Sequence, residues 1–118
     1  MLKKNFKGRC ERRQLSKCDG VCRSYSELQT KYADMLEADE EIIEFTCNVL
    51  MTGLAIGDYT TDFLAKKKDG EYRVRECVNR KHLLWPSVAE QLDASREYWA
   101  RHGISDWGIV IQKEEGNE

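Results

Sequence analysis

The stretch Asp62-Phe-Leu-Ala-Lys-Lys-Lys-Asp-Gly-Glu-Tyr-Arg-Val-Arg-Glu76 constrains this chain more than any other. It reads as two strands joined at Asp69-Gly70, with a carboxylate at the outer end of each arm. A three-residue loop Lys68-Asp69-Gly70, with Gly70 in the left-handed region, pairs Lys67 with Glu71. Counting outward, Asp62 then falls opposite Glu76, and directly opposed Cβ atoms lie roughly 4.5–5.5 Å apart. Two carboxylates held that close repel unless a proton or a cation sits between them. A two-residue Asp-Gly turn would put them on opposite faces, because a slip of one residue inverts the side chains. The hairpin is thus a candidate metal site on condition that the longer loop forms.

The remaining patterns supply elements around it. A helix is expected from Ser24, which stands at capping-box spacing from Glu27, with apolar Tyr25, Leu28, Tyr32, Met35 and Leu36 following and Ala38-Asp39 ending it. Ile43, Phe45, Cys47 and Val49 alternate with polar residues as a half-buried strand. Tyr59–Lys67 and Glu71–Asn79 form the hairpin. Pro86 suits the first turn of a second helix stopped by Gly103, with Val88, Ala89, Leu92, Tyr98 and Trp99 as its apolar positions. Trp107–Ile111 is a short buried strand. The order α-β-β-β-α-β predicts an α/β fold: an antiparallel meander, a crossover helix returning the last strand to the same sheet, and a helix for each face.

The expected organisation is one domain over 24–112, a basic arm over 1–23 and a polar tail over 113–118. The arm carries eight Lys or Arg against two Asp or Glu, although the whole chain has a net charge of −2. A basic arm on an acidic body suits contact with a phosphate backbone through Lys3, Lys4, Lys7, Arg9, Arg12, Arg13, Lys17 and Arg23. A solubilising tail is the plainer reading. No apolar run approaches the ~20 residues of a membrane span, and no apolar segment follows the basic start. A cytoplasmic protein is expected, with its five cysteines, an odd number, as reduced thiols. Cys10, Cys18 and Cys22 also offer three zinc ligands, with Cys47, Cys77 or His82 as a fourth, though their spacing is not that of common zinc knuckles.

Ser-Glu-Leu on a helix, a strand, Asp-Tyr-Thr-Thr-Asp-Phe-Leu, then Arg-Val-Arg-Glu-Cys-Val, a helix and a strand resemble the PD-(D/E)XK nuclease core. Within that superfamily the chain is most similar to the N-terminal catalytic domain of TnsA-like endonucleases, the DNA-cutting subunits of heteromeric transposases. Their Tyr-Thr-Pro-Asp-Phe-type motif is matched by Tyr59-Thr60-Thr61-Asp62-Phe63. The resemblance spans about Tyr25 to Ile111 and implies a restriction-endonuclease-like three-layer core, DNA as substrate and magnesium or manganese as cofactor. It also implies a transposase subunit as partner; a homodimer is a further possibility.

Residue by residue, the resemblance gives Glu27 as the helix glutamate, Asp62 as the metal-binding aspartate and Glu76 as the start of the E-x-K element. The backbone carbonyl of Cys77 would be a further metal ligand. The third position of that element, a lysine in the family, is Val78. Arg80 is the replacement if the strand continues that far, Lys81 if it ends by Asn79. The alternative is a nuclease fold without catalysis that binds DNA or a protein. Trp85, beside the Arg80-Lys81-His82 run, is the tryptophan to examine for DNA contact. Gln91, His82 and His102 read as ordinary polar residues.

Overall fold

The computed structural model describes residues 10–112. Strands β1 (Glu11–Arg13) and β2 (Cys22–Ser24) form a small hairpin ahead of helix α1 (Glu27–Ala38). Strands β3 (Ile42–Met51), β4 (Tyr59–Lys67) and β5 (Tyr72–Cys77) follow. A 3-10 turn (Arg80–His82), helix α2 (Pro86–Arg101) and strand β6 (Asp106–Val110) complete the fold. The main sheet runs β3-β4-β5-β6, antiparallel at its first two junctions and parallel between β5 and β6. This is the mixed four-stranded α/β sheet that the order of elements predicted.

Two apolar clusters cover the sheet. Tyr32, Ala33 and Leu36 of α1 pack with Ile42, Phe45, Phe63, Ala65 and Cys77 on one face. Phe63 sits edge-on to Tyr32 at 5.2 Å and tilted against Phe45 at 6.2 Å. Truncating such a buried ring costs about 3–5 kcal/mol. On the other face, Trp99 of α2 packs with Met51, Tyr59 and Val74, flanked by Leu64, Tyr98 and Trp107. Helix, sheet and helix therefore form three layers, as expected. The outer helix is lightly seated, because Ser95 and Trp99 are its buried residues.

Strands β3 and β4 change faces part-way along. Phe45 and Cys47 pack with α1, but Val49 and Met51, of the same parity, pack with the α2 cluster. On β4, Phe63 and Ala65 belong to the first cluster and Tyr59 to the second. A regular strand keeps i and i+2 on one face. Asn48 breaks the rule with a left-handed φ of 55°, a conformation asparagine tolerates because its short side chain bonds locally. Its amide donates to Arg23 O at 3.0 Å. The Cα partners Cys47↔Phe63 and Val49↔Thr61 bracket Asn48 and Asp62, so Asp62 lies at the crossover of faces.

Four local expectations are corrected. Residues 10–24 are not a loose arm: β1 and β2 pair, and the 23/24 boundary falls inside β2. These strands are three residues long, too short to show a period in sequence, yet Cys22 and Ser24 are buried with Arg23 exposed between them. The cap of α1 is Ser26, whose hydroxyl accepts from Gln29 N at 3.2 Å, while the Gln29 side chain accepts from Tyr25 N at 2.8 Å. This is a capping arrangement shifted by two residues from Ser24 and Glu27. Met35, placed on the apolar stripe, is 63% exposed. At the start of β3 a register shift between Ile42 and Glu44 turns Ile42 inward and leaves Ile43 exposed.

Candidate functional site

The hairpin has the longer loop. Gly70 is left-handed at φ 88°, Lys67 N donates to Glu71 O at 2.8 Å, and Phe63↔Arg75, Leu64↔Val74 and Lys66↔Tyr72 hold the register. That count sets Asp62 beside Glu76, so the condition read from the sequence is met. At this point side chains replace the backbone ladder. Asp62 N donates to Glu76 Oε1 at 3.0 Å, and Cys77 N donates to Asp62 Oδ2 at 2.7 Å. Asp62 and Glu76 are both buried.

Around Glu76 stands a polar ring that the sequence did not disclose. The Thr61 hydroxyl donates to Glu76 Oε2 at 2.9 Å and the Ser95 hydroxyl at 2.6 Å. Each hydroxyl in turn accepts an indole N–H, Thr61 from Trp99 at 2.6 Å and Ser95 from Trp107 at 3.0 Å. Two tryptophans, two hydroxyls and a backbone amide thus converge on one carboxylate. The crossover at Asp62 makes this possible by turning Thr61 toward α2, where Glu76 already faces. One signal was available: Ser95 stands at helical spacing from Leu92 and Trp99, and a polar residue on an apolar stripe marks a buried partner.

The other expected residues do not gather here. Glu27 is in the exposed first turn of α1, 3.7 Å from Lys31. It forms no three-ligand group with Asp62 and Glu76 among the described residues. Strand β5 ends at Cys77, and Val78 is buried with its N–H donating to Val110 O. Arg80 falls in the 3-10 turn, off the strand, and its guanidinium reaches Gln112 O at 3.4 Å. Lys81 is exposed in the same turn. Next to it His82 stacks on Trp85 at 3.9 Å, with Trp85 51% and Leu84 92% exposed.

Of the basic residues, Lys3, Lys4, Lys7 and Arg9 lie outside the described residues. Arg13 is engaged by Asp34 at 2.7 Å and Thr30 O at 3.2 Å, and Lys17 by Asp39 O at 2.8 Å. Arg12 and Arg23 are exposed and directly opposed across β1–β2.

A hard divalent cation takes oxygen ligands, often one or two carboxylates with water and substrate phosphates. Asp62 and Glu76 have that donor chemistry, are both buried and are neighbours across the hairpin, so the pair fits such an ion in kind. A carboxylate has about four lone-pair sites, and three hydrogen bonds already engage those of Glu76.

A second group of potential ligands is made of sulfur. Cys18, Cys22 and Cys47 bring their Sγ atoms within 4.8 Å of one another. Cys22 and Cys47 are 3.3 Å apart, Cys18 and Cys47 3.8 Å. Hydrogen bonding from Cys47, aided by the positive charge of Arg13, outweighs burial and pulls the Cys22 thiol down to about 6. Cys10, Cys77 and His82, each considered from spacing, stand outside the group.

No protein-family model matches the chain, and no curated relative was found. No helix among the described residues is long and apolar enough to cross a membrane.

Proposed function

We propose that this chain is a metal-dependent DNA endonuclease of the TnsA-like type, cutting phosphodiesters at transposon ends together with a transposase partner. The observation that carries the reading is the apposition of Asp62 and Glu76 across the hairpin of an α-β-β-β-α-β core. Asp62 and Glu76 would hold magnesium or manganese, with the Cys77 carbonyl beside them. The ion, when bound, supplies activated water and stabilises charge on the phosphodiester. Lys81, on a flexible stem in the turn that follows β5, is the cation for the phosphate, since the strand stops before Asn79. Arg12 and Arg23 repel each other across β1–β2, and a phosphate backbone relieves that repulsion. The stacked His82–Trp85 pair, with Trp85 exposed, offers aromatic surface against which a base could stack.

A second reading, a nuclease fold that binds DNA or a protein without cutting, is favoured by three observations. The Glu76 oxygens are engaged by Thr61, Ser95 and Asp62 N, Val78 holds the lysine position, and Glu27 stands apart. Nicking of supercoiled plasmid in magnesium or manganese, alone and with the product of the neighbouring gene, separates the two. The first reading expects cleavage that Asp62→Asn abolishes. No cleavage in any combination, or cleavage indifferent to Asp62→Asn, leaves the second.

A further inference from the structure

The three thiols lie at the edge of the sheet, on the α1 side, and come from separate segments. Cys18 is in the β1–β2 loop, Cys22 opens β2 and Cys47 is on β3. The loop is already stitched to β3, because Phe45 N donates to Lys17 O at 2.9 Å and Asp19 N to Phe45 O at 2.8 Å. Cys22 is fully buried, while Cys18 and Cys47 are half-buried and keep some contact with solvent.

Zinc–thiolate bonds are about 2.3 Å long, which in a tetrahedron sets the sulfurs about 3.8 Å apart. Cys18 and Cys47 stand at that separation, 3.8 Å. Cys22 and Cys47, at 3.3 Å, need to part by a fraction of an ångström. A disulfide requires about 2.05 Å and would join two of the three, stranding the third. Three soft ligands within 4.8 Å of one another suit a thiophilic ion better than a hard one.

We infer that Cys18, Cys22 and Cys47 form a zinc site that staples the N-terminal hairpin to the edge of the main sheet. Three thiolates supply three corners of the tetrahedron and solvent supplies the fourth. Each thiol that binds as thiolate releases its proton to the buffer. The site is separate from the carboxylate pair, and its fate does not depend on nuclease activity.

The test uses the full chain, purified under reductant without chelators. Metal analysis should return about one zinc per chain. Cobalt(II) added to the stripped protein should give the thiolate-to-cobalt charge-transfer band and the visible bands of tetrahedral coordination. Cys18→Ser and Cys47→Ser should each weaken zinc binding at least about 100-fold against a chromophoric chelator, and Cys10→Ser should not change it. Stripping the zinc should also speed proteolytic cleavage between β1 and β2. Absence of zinc together with absence of the cobalt bands would overturn the inference, as would bands that persist in Cys18→Ser, with far-UV circular dichroism checking that the variant is folded.

Discussion

Asp62 and Glu76 are joined by a hydrogen bond from the backbone amide of the first to the carboxylate of the second, 3.0 Å long and fully buried. The hairpin therefore closes through a side chain at the position where the family resemblance places metal ligands. Glu76 serves as an acceptor for three donors, and this gives it a structural duty whatever its chemistry.

Glu76→Gln presents amide hydrogens to donors that need an acceptor, and should cost about 1–3 kcal/mol. Glu76→Ala leaves Thr61, Ser95 and Asp62 N facing a void and should cost more. Urea unfolding followed by tryptophan emission reads both, since Trp99 and Trp107 are each linked to the lost carboxylate through a single hydroxyl. A Glu76→Gln protein as stable as the parent would show that the ring contributes nothing.

Lys81 is the proposed phosphate cation and sits exposed in a turn. Lys81→Ala should slow nicking about 10–100-fold. Its stability should stay within about 0.5 kcal/mol of the parent, as is usual for surface substitutions. A parallel fall in both quantities would point to folding rather than to chemistry.

Asn48 carries the left-handed kink that exchanges the faces of β3. Asn48→Val should destabilise by about 2–3 kcal/mol, combining an unfavourable φ with loss of the bond to Arg23 O. Asn48→Gly loses the bond but gains conformational ease, and should lie close to the parent. Thermal unfolding should separate the two variants by several degrees, and coincident midpoints would deny the kink any part in stability.

Asp106 receives Lys67 at 3.0 Å, Arg75 at 2.9 Å and Arg73 at 3.6 Å. Burial would raise its carboxyl, but hydrogen bonds from Lys67 and Arg75 outweigh it and hold it below the ordinary carboxylate range. A depressed native pKa gives stability that is present above the unfolded value, about 3.9, and is lost as pH falls through the native one. Asp106→Asn should cost about 1 kcal/mol at neutral pH, a modest figure because the site is partly solvated. The gap between variant and parent should close below about pH 4, and a gap that persists in acid would assign the loss to packing.

The sequence disclosed the sheet because its signals were local. Asp69-Gly70 specified the loop, alternation marked the strands, and Pro86 and Gly103 bounded the second helix. The site was legible only as far as the register, which set Asp62 beside Glu76. Its surroundings were not, since Thr61 reaches Glu76 only because the face exchange at Asn48 and Asp62 overrides period-2 parity. The helix cap was misplaced because Ser24 and Ser26 both precede a Glu or Gln by three residues. Cys47 joined Cys18 and Cys22 through a contact across the sheet edge, which spacing along the chain cannot rank against Cys10 or Cys77.

The exchange of faces divides β3 and β4 lengthwise between two halves of the molecule. Amide hydrogen exchange should follow that division, with Val49–Met51 and Tyr59–Thr61 losing protection together when α2 lifts, and Phe45 and Phe63 keeping theirs under α1. Ser95, one of the two buried residues of that helix, is also the lid on the Glu76 carboxylate. Unseating α2 would therefore strip one of the donors from the Glu76 carboxylate, so whatever grips α2 from outside also steadies that hydrogen bond.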